Sequence, residues 1–353
     1  MNGRDFSKKI ISWYLEHKRN LPWRSSSDPY FIWLSEVILQ QTRVAQGLPY
    51  FERFVRDFPN VRALANAPLE KILRAWQGLG YYSRARNLHR CAQVIRDEHG
   101  GQFPRTYSQL LSLPGIGSYT AAAISSIAFG EAHAVVDGNV FRVIARIFGF
   151  DHDTSTAEGK KKFEERANQL LDRTQPGVFN QAVMEFGALH CTPKSPACGS
   201  CIFASGCFAR KHEAQMLLPV KSKKVKIRAR HFQYFALKVG SKLALKQRTA
   251  KDIWHGLYDF LLIEGKEGAP TDIRAFSMLK SKGAEIGKKL TLKHQLTHQS
   301  IKAEFTLLDL PNTRAVEASL KALGLKLYSP RQLANLPKPV LISRFLTDSG
   351  ILD

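Results

Sequence analysis

Four of the chain's five cysteines fall within seventeen residues, spaced Cys191-x6-Cys198-x2-Cys201-x5-Cys207. No other feature restricts the fold so strongly, because thiols this close in sequence point to a shared metal or to disulfides, four unrelated buried thiols being the poorer reading. The N-terminus, Met1 to Lys9, is polar, carries Asp5 and is followed by no apolar stretch with a small-residue cleavage site. No secretion signal is expected, so the thiols are expected to stay reduced and to bind metal. A structural zinc site usually draws its ligands from two short pairs. Here only Cys198 and Cys201 stand that close. Irregular spacing suits a [4Fe–4S] cluster held by four thiolates, which is the favoured reading, with zinc as the alternative. Thr192, Pro193, Pro196, Gly199, Ser200 and Gly206 supply the turns a wrapping loop needs. Cys91, on a helical stretch with Leu88, Ala92 and Ile95, reads as a small core residue.

Charge points to a polyanionic partner. Lys and Arg number 52 against 30 Asp and Glu, a formal net charge of +22. Neutralising phosphates releases condensed counterions, so such an excess favours nucleic acid, although charge alone does not separate an enzyme from a packaging protein. No apolar run approaches the ~20 residues of a membrane span, and a soluble, cytoplasmic, monomeric protein is expected, at the nucleoid in a bacterium.

With 353 residues the chain has room for two domains. Residues 1–216 read as nearly all helix. Phe6, Ile10, Trp13, Tyr14 and His17 recur at helical spacing, and Asp28-Pro29 opens a strongly apolar helix from Tyr30 to Gln40. Further helices are expected at Leu69–Gln77, Ser83–His99, Leu110–Leu113, Tyr119–Phe129, Asn139–Phe148, Ala157–Thr174 and Val178–His190. Residues 217–229, rich in lysine, read as an exposed linker. From residue 230 to 353 the pattern changes to that of a smaller α+β domain. Its expected strands are His231–Val239, Leu243–Gln247, Tyr258–Glu264, Leu290–Thr297 and Lys302–Leu310, with helices at Asp272–Lys282, Arg314–Leu323 and Pro339–Thr347.

Leu113-Pro114-Gly115-Ile116-Gly117-Ser118-Tyr119-Thr120 has the form of a helix-hairpin-helix turn. Gly115 and Gly117 let the backbone approach a phosphate, and the next helix presents its N-terminal N–H groups. An ordinary turn between helices fits the same residues. Two carboxylates stand out as candidates for chemistry. Glu36 sits in Phe31-Ile32-Trp33-Leu34-Ser35-Glu36-Val37-Ile38-Leu39, apolar company that should raise its pKa and suit it to general-acid work. Asp137, in Val136-Asp137-Gly138-Asn139-Val140, reads from spacing as a helix N-cap, a position that also fixes its carboxylate. Breaking a glycosidic bond needs such a pair, one to protonate the leaving group and one to stabilise an oxocarbenium-like sugar.

Together the cysteine loop, Leu113–Gly117 and Val136–Val140 resemble the endonuclease III superfamily of helix-hairpin-helix DNA glycosylases. Leu21-Pro22-Trp23-Arg24, Ser35–Thr42 and Gly78–Leu88 are similar to its adenine-specific MutY branch. The resemblance implies a six-helix barrel, a [4Fe–4S] domain that includes the N-terminal helix, and a C-terminal Nudix-like domain. It implies removal of adenine mispaired with 8-oxoguanine or guanine in duplex DNA. By that resemblance Glu36 protonates the adenine and manages the attacking water, Asp137 stabilises the cationic sugar, and Tyr119 and Asn139 support them. Arg24, Leu39 and Glu185 would line the pocket of the flipped adenine, Thr42 would contact DNA near it, and Gln41 and Tyr81 would wedge into the stack. Leu296-Thr297-His298 takes the place of the loop that reads 8-oxoguanine, with Thr297 and His298 keeping its polar groups and Leu296 lacking an aromatic face.

Lyase members of the superfamily carry a lysine after the hairpin. Tyr119 stands there, and a phenol cannot form an imine with the sugar, so a monofunctional glycosylase is expected. Without an Arg-Glu-x-x-Glu-Glu signature the C-terminal domain is expected to read and not to hydrolyse. The alternatives are an endonuclease III-like lyase, opposed by Tyr119 and the C-terminal domain, and a non-catalytic iron–sulfur DNA-binding protein, opposed by Glu36 and Asp137.

Overall fold

The structure is a computed structural model that describes residues 2–222, 226–265 and 280–352. The helix expected over Asp272–Lys282 lies outside the described residues except at its last three positions. The chain forms two compact units. One comprises Met1–Asn66 and Asn87–Lys224, the other Ala67–Arg86 and Val225–Asp353. The short stretch Ala67–Arg86 therefore packs with the C-terminal part, a grouping that local sequence pattern does not display.

The first unit is helical: α1 (Gly3–His17), α2 (Pro29–Leu39), α3 (Val44–Asp57), α4 (Val61–Asn66), the greater part of α6 (Ser83–Glu98), α7 (Tyr107–Leu111), α8 (Ser118–Phe129), α9 (Gly138–Phe148), α10 (Ala157–Leu170), α11 (Pro176–Leu189) and α12 (Phe208–Lys211). Asp28 caps α2 by accepting the Tyr30 N–H at 2.8 Å, and Pro29 fills the first turn, where its missing N–H costs nothing. α2 is apolar almost all round and is buried accordingly, from Tyr30 to Ile38. Glu36 is its one carboxylate, and it carries no Lys, Arg or His. α10 stops at Leu170, short of the expected Thr174, because Asp172 turns the chain by accepting from Thr174.

Phe6, Ile10 and Trp13 of α1 share one core with Val143 and Ile147 of α9, Phe163 of α10, Phe186 of α11 and Phe203 of the cysteine loop. Phe6 stacks on Phe203 with ring centroids 5.2 Å apart. The N-terminal helix and the cysteine loop thus hold each other, and a Phe6→Ala cavity there costs about 3–5 kcal/mol. Part of the segment expected as an exposed linker is docked on this core. Leu218 is buried in it, Arg146 donates to the Leu218 carbonyl, and Thr154 donates to that of Val220. Leu218 and Val220, the apolar residues among the lysines, are what anchor it.

The second unit contains α5 (Leu69–Ala75) and a mixed sheet of β1 (Arg228–Val239), β2 (Lys242–Gln247), β3 (Tyr258–Asp259), β4 (Leu261–Gly265), β5 (Glu285–Gln295), β6 (Gln299–Leu310) and β7 (Lys326–Tyr328). Its strand order is β3-β2-β1-β6-β5, with β4 paired to β1 and β7 to β2. β1 and β6 run parallel through the centre in a long register, Arg228 opposite Gln299 to Val239 opposite Leu310. The strand expected over Tyr258–Glu264 is two, because buried Phe260 interrupts the pairing as the chain passes from β2 to β1. α13 (Arg314–Ala322), α14 (Pro330–Asn335) and α15 (Val340–Asp348) complete the unit. Among the described residues no helix is long and apolar enough to cross a membrane.

Candidate active site and cysteine loop

α2 carries Glu36, the helix-hairpin-helix turn delivers Tyr119 at the start of α8, and the cap of α9 is Asp137. These three elements, with α11, wall a cavity of about 430 Å³ within the first unit. Its lining includes Glu36, Tyr119, Asp137 and Asn139, together with Arg24, Leu39, Thr42 and Glu185. Every residue expected at the catalytic centre or in the base pocket therefore meets in one space.

Glu36 is surrounded by protein except where it opens to the cavity. Burial pushes its carboxyl up to about 7, against a hydrogen bond of 2.5 Å donated by the Tyr119 hydroxyl to Oε2. Nearby Asp137 adds to the rise and Arg24 opposes it. Tyr119 itself is pushed well above the usual phenol range by burial and by the two carboxylates, so it stays a donor. Asp137 is held rigidly. Its Oδ1 accepts the N–H groups of Asn139 (2.9 Å) and Val140 (2.8 Å), and its Oδ2 accepts the Asn139 side-chain amide at 2.7 Å. Burial raises its pKa, and those donors work to keep the anion.

Around Glu185, which lines the same cavity, the charges are arranged differently. Glu185 is only 1% exposed. Arg24 grips it with two parallel bonds of 2.8 Å, and Arg19 adds its backbone N–H, its Nε and its Nη2. Burial works against the anion, but these donors hold Glu185 down at about 2. The carboxylate is occupied by arginines, so it aims them; Arg24 also lies over the Tyr14 ring at 5.5 Å. Arg19 was invisible from the sequence because its partner lies 166 positions away. Gln181 and Met184, which also line the cavity, were missed too, although both lie on the α11 face that carries Glu185.

The hairpin glycines have separate reasons. Gly115 has φ +77°, and a Cβ there would stand 2.6 Å from Asn87. Gly117 has ordinary φ and open space where a Cβ would be, and as the cap of α8 it places no side chain over the first turn. Gln41 and Tyr81 both have positive φ, +61° and +47°, which bulky residues adopt only when their surroundings impose it. In the second unit, Thr297 and His298 are exposed at a cavity of about 490 Å³ that Tyr81, Trp254 and His294 also line. The Tyr81 hydroxyl pairs with that of Thr297.

All four clustered cysteines, partly exposed, line one small pocket with Arg146 and His190. Arg146 comes within 3.6 Å of Cys191 Sγ and donates to the carbonyls of Thr192 and Pro193. The Phe203 N–H donates to Cys201 Sγ at 3.4 Å. Among the described residues no three His, Cys, Asp or Glu side chains converge as ligands of one ion; the thiols stand around the pocket. A soft all-thiol donor set with a guanidinium beside it fits an anionic thiolate–iron cluster. Arg142 joins this loop to the active centre, donating to the carbonyls of Cys191 and Gly187 at 2.6 Å and to Asn139 Oδ1 at 2.8 Å.

Residues 34–171 match the HhH-GPD superfamily of base excision DNA repair proteins, and residues 233–348 match the NUDIX domain. An adenine DNA glycosylase of Buchnera aphidicola subsp. Schizaphis graminum is 33% identical over 345 residues, covering 95% of this chain and 96% of its own length. The human adenine DNA glycosylase is 44% identical over 219 residues, 60% of this chain and 40% of the human protein. Among solved structures, a thermostable thymine-DNA glycosylase aligns with a TM-score of 0.54 at 29% identity, covering 60% of this chain and 97% of its own. An endonuclease III trapped on DNA aligns with a TM-score of 0.52 at 22% identity, covering 60% and 99%, a likeness of fold. With a relative of one-third identity along nearly the whole length, and both expected folds matched in order, the chain belongs to the adenine DNA glycosylase family.

Proposed function

We propose that this chain removes adenine mispaired with 8-oxoguanine or guanine from duplex DNA, hydrolysing the N-glycosidic bond as a step of base excision repair without cutting the strand. The observation that carries this reading is Glu36: a carboxyl raised to about 7, opposite a fixed Asp137, in a cavity of a size to take one extrahelical base.

The chemistry follows from the partners of each oxygen. Tyr119 donates to Glu36 Oε2, which leaves Oε1 to carry the acid proton toward a ring nitrogen of the adenine. As the C–N bond breaks and its electron pair leaves with the protonated base, the sugar becomes cationic. Asp137, locked by Asn139 and the α9 N-terminus, faces that cation without needing to reorganise. Glu36, now ionised, takes a proton from the water that attacks the sugar carbon. Arg24, aimed by Glu185, supplies donors to the base edge. Gly115, Gly117 and the start of α8 hold a phosphate. By the family resemblance Gln41 of the helical unit and Tyr81 of the second unit are each suited to enter the DNA stack, and Thr297 and His298 of the second unit to read a purine.

Cys191, Cys198, Cys201 and Cys207 would hold a [4Fe–4S] cluster, which when bound cross-links the loop and fixes its shape. The chain's own Arg142 and Arg146 keep that loop in register with the Asp137 cap. The decisive test is adenine release from a duplex carrying A opposite 8-oxoguanine. Glu36→Gln should lower the single-turnover rate by about 10³-fold while the duplex still binds. Normal release by that variant, or efficient borohydride trapping of the unaltered chain on DNA, would defeat the reading.

A further inference from the structure

The loop Gly78–Ser83 presents a large ring in an unfavourable backbone state. Gly78, Gly80 and Tyr81 all have positive φ, at +107°, +72° and +47°. Tyr81 is 40% exposed, yet its loop is fastened from beneath. The Trp76 indole N–H donates to the Gly80 carbonyl at 3.0 Å. Arg84 Nη2 donates to the Leu79 carbonyl at 3.2 Å and reaches that of Gly80 at 3.4 Å. Its backbone N–H closes the turn onto the Tyr81 carbonyl at 2.9 Å. The same guanidinium lies over two rings, 5.1 Å from the centre of Trp76 and 5.8 Å from that of Tyr81.

We infer that Arg84 is the positioning residue of the wedge: its guanidinium, laid between Trp76 and Tyr81 and bonded to the carbonyls of Leu79 and Gly80, holds the Tyr81 ring ready to enter the DNA stack. The inference rests on the wedge role proposed for Tyr81 and adds the residue that makes it work. A flat, delocalised cation is suited to this place, because it stacks on rings through its faces and donates in its plane. Lysine has neither the plane nor the fork. Burial lowers the Arg84 pKa only to about 10, so the cation persists at neutral pH. Without it, two carbonyls of a left-handed turn lose a donor, Tyr81 loses the surface on which it lies, and the turn can relax to a state in which the ring points elsewhere.

A double-mutant cycle tests this, read in two ways. One is single-turnover adenine release from an A:8-oxoguanine duplex. The other is the fluorescence of 2-aminopurine placed beside the adenine, which rises when its neighbour leaves the stack. Tyr81→Ala should slow both by up to about 10²-fold, the order of rate that lost positioning of the substrate costs. Arg84→Met, which keeps bulk but not donors, should slow both as much. Arg84→Lys should recover only part. The variant pair Tyr81→Ala with Arg84→Met should be no slower than Tyr81→Ala alone, because Arg84 acts through that ring. Melting curves of each variant identify any loss due to unfolding, and Arg84→Lys then carries the comparison. Additive losses, or an unslowed Arg84→Met beside a slowed Tyr81→Ala, would overturn the role of Arg84 and leave the wedge standing. An unslowed Tyr81→Ala would remove the wedge, and the inference with it.

Discussion

Two glutamates that line the cavity of the helical unit are buried to opposite effect. Glu36 is bonded by the Tyr119 phenol and, among the described residues, by no cation, and burial pushes it up to about 7. Glu185 is gripped by Arg19 and Arg24 and stays ionised down to about 2. Burial penalises both anions; the difference is whether full charges answer the penalty. The contrast separates roles. A carboxyl near neutrality can give and take a proton, whereas one held at about 2 can only organise cations.

The largest effect is expected at Asp137, a third carboxylate in the same lining. Asp137→Asn keeps a side chain that caps α9 as well as aspartate does, so the melting temperature should stay nearly unchanged. It removes the charge proposed to stabilise the sugar cation, and adenine release should fall by about 10²–10³-fold. A large drop in stability with activity intact would reverse the assignment. Next comes Glu185→Gln, which strands two arginines. It should destabilise the unit by about 3–5 kcal/mol in denaturant unfolding, a cost typical of breaking a buried pair. If it is silent, the arginines are held by something else.

Smaller still is the pH dependence of stability. Glu36 ionises later in the folded chain than in the unfolded one, so its contribution is full at low pH and is lost as pH rises through about 7. Glu185 ionises earlier in the folded chain, so its contribution is full above the ordinary glutamate range and is lost as pH falls toward about 2. Glu36→Gln should therefore raise the melting temperature by a few degrees above neutrality, where the native carboxylate is a buried anion, and change little in mild acid. A melting temperature lowered at alkaline pH would undo the contrast between Glu36 and Glu185.

How much of this could be read in advance divides along physical lines. Glu36 was legible because a single carboxylate among Trp33, Leu34, Val37 and Ile38 has no polar face to sit on. Asp137 was legible as a cap, and the cap turned out to be its means of support. The grip of Arg19 and Arg24 on Glu185 was not legible, since no local pattern links residues that far apart. Nor was the packing of Ala67–Arg86 with the C-terminal unit. α14 could have been found: Ser329-Pro330-Arg331-Gln332 is a capping box, with both of its reciprocal bonds formed. The break between β3 and β4 could not, because Tyr258 to Glu264 has the composition of one strand and only the sheet decides where pairing changes.

If burial is what makes Glu36 an acid, the pH profile of single-turnover adenine release from an A:8-oxoguanine duplex, followed from about pH 5 to about pH 9, reports it. The rate should fall as pH rises through about 7, approaching a tenfold loss per pH unit, and Glu36→Gln should lose that limb along with the activity. A rate that stays flat to the alkaline end, or that falls already through the ordinary glutamate range, would contradict the account.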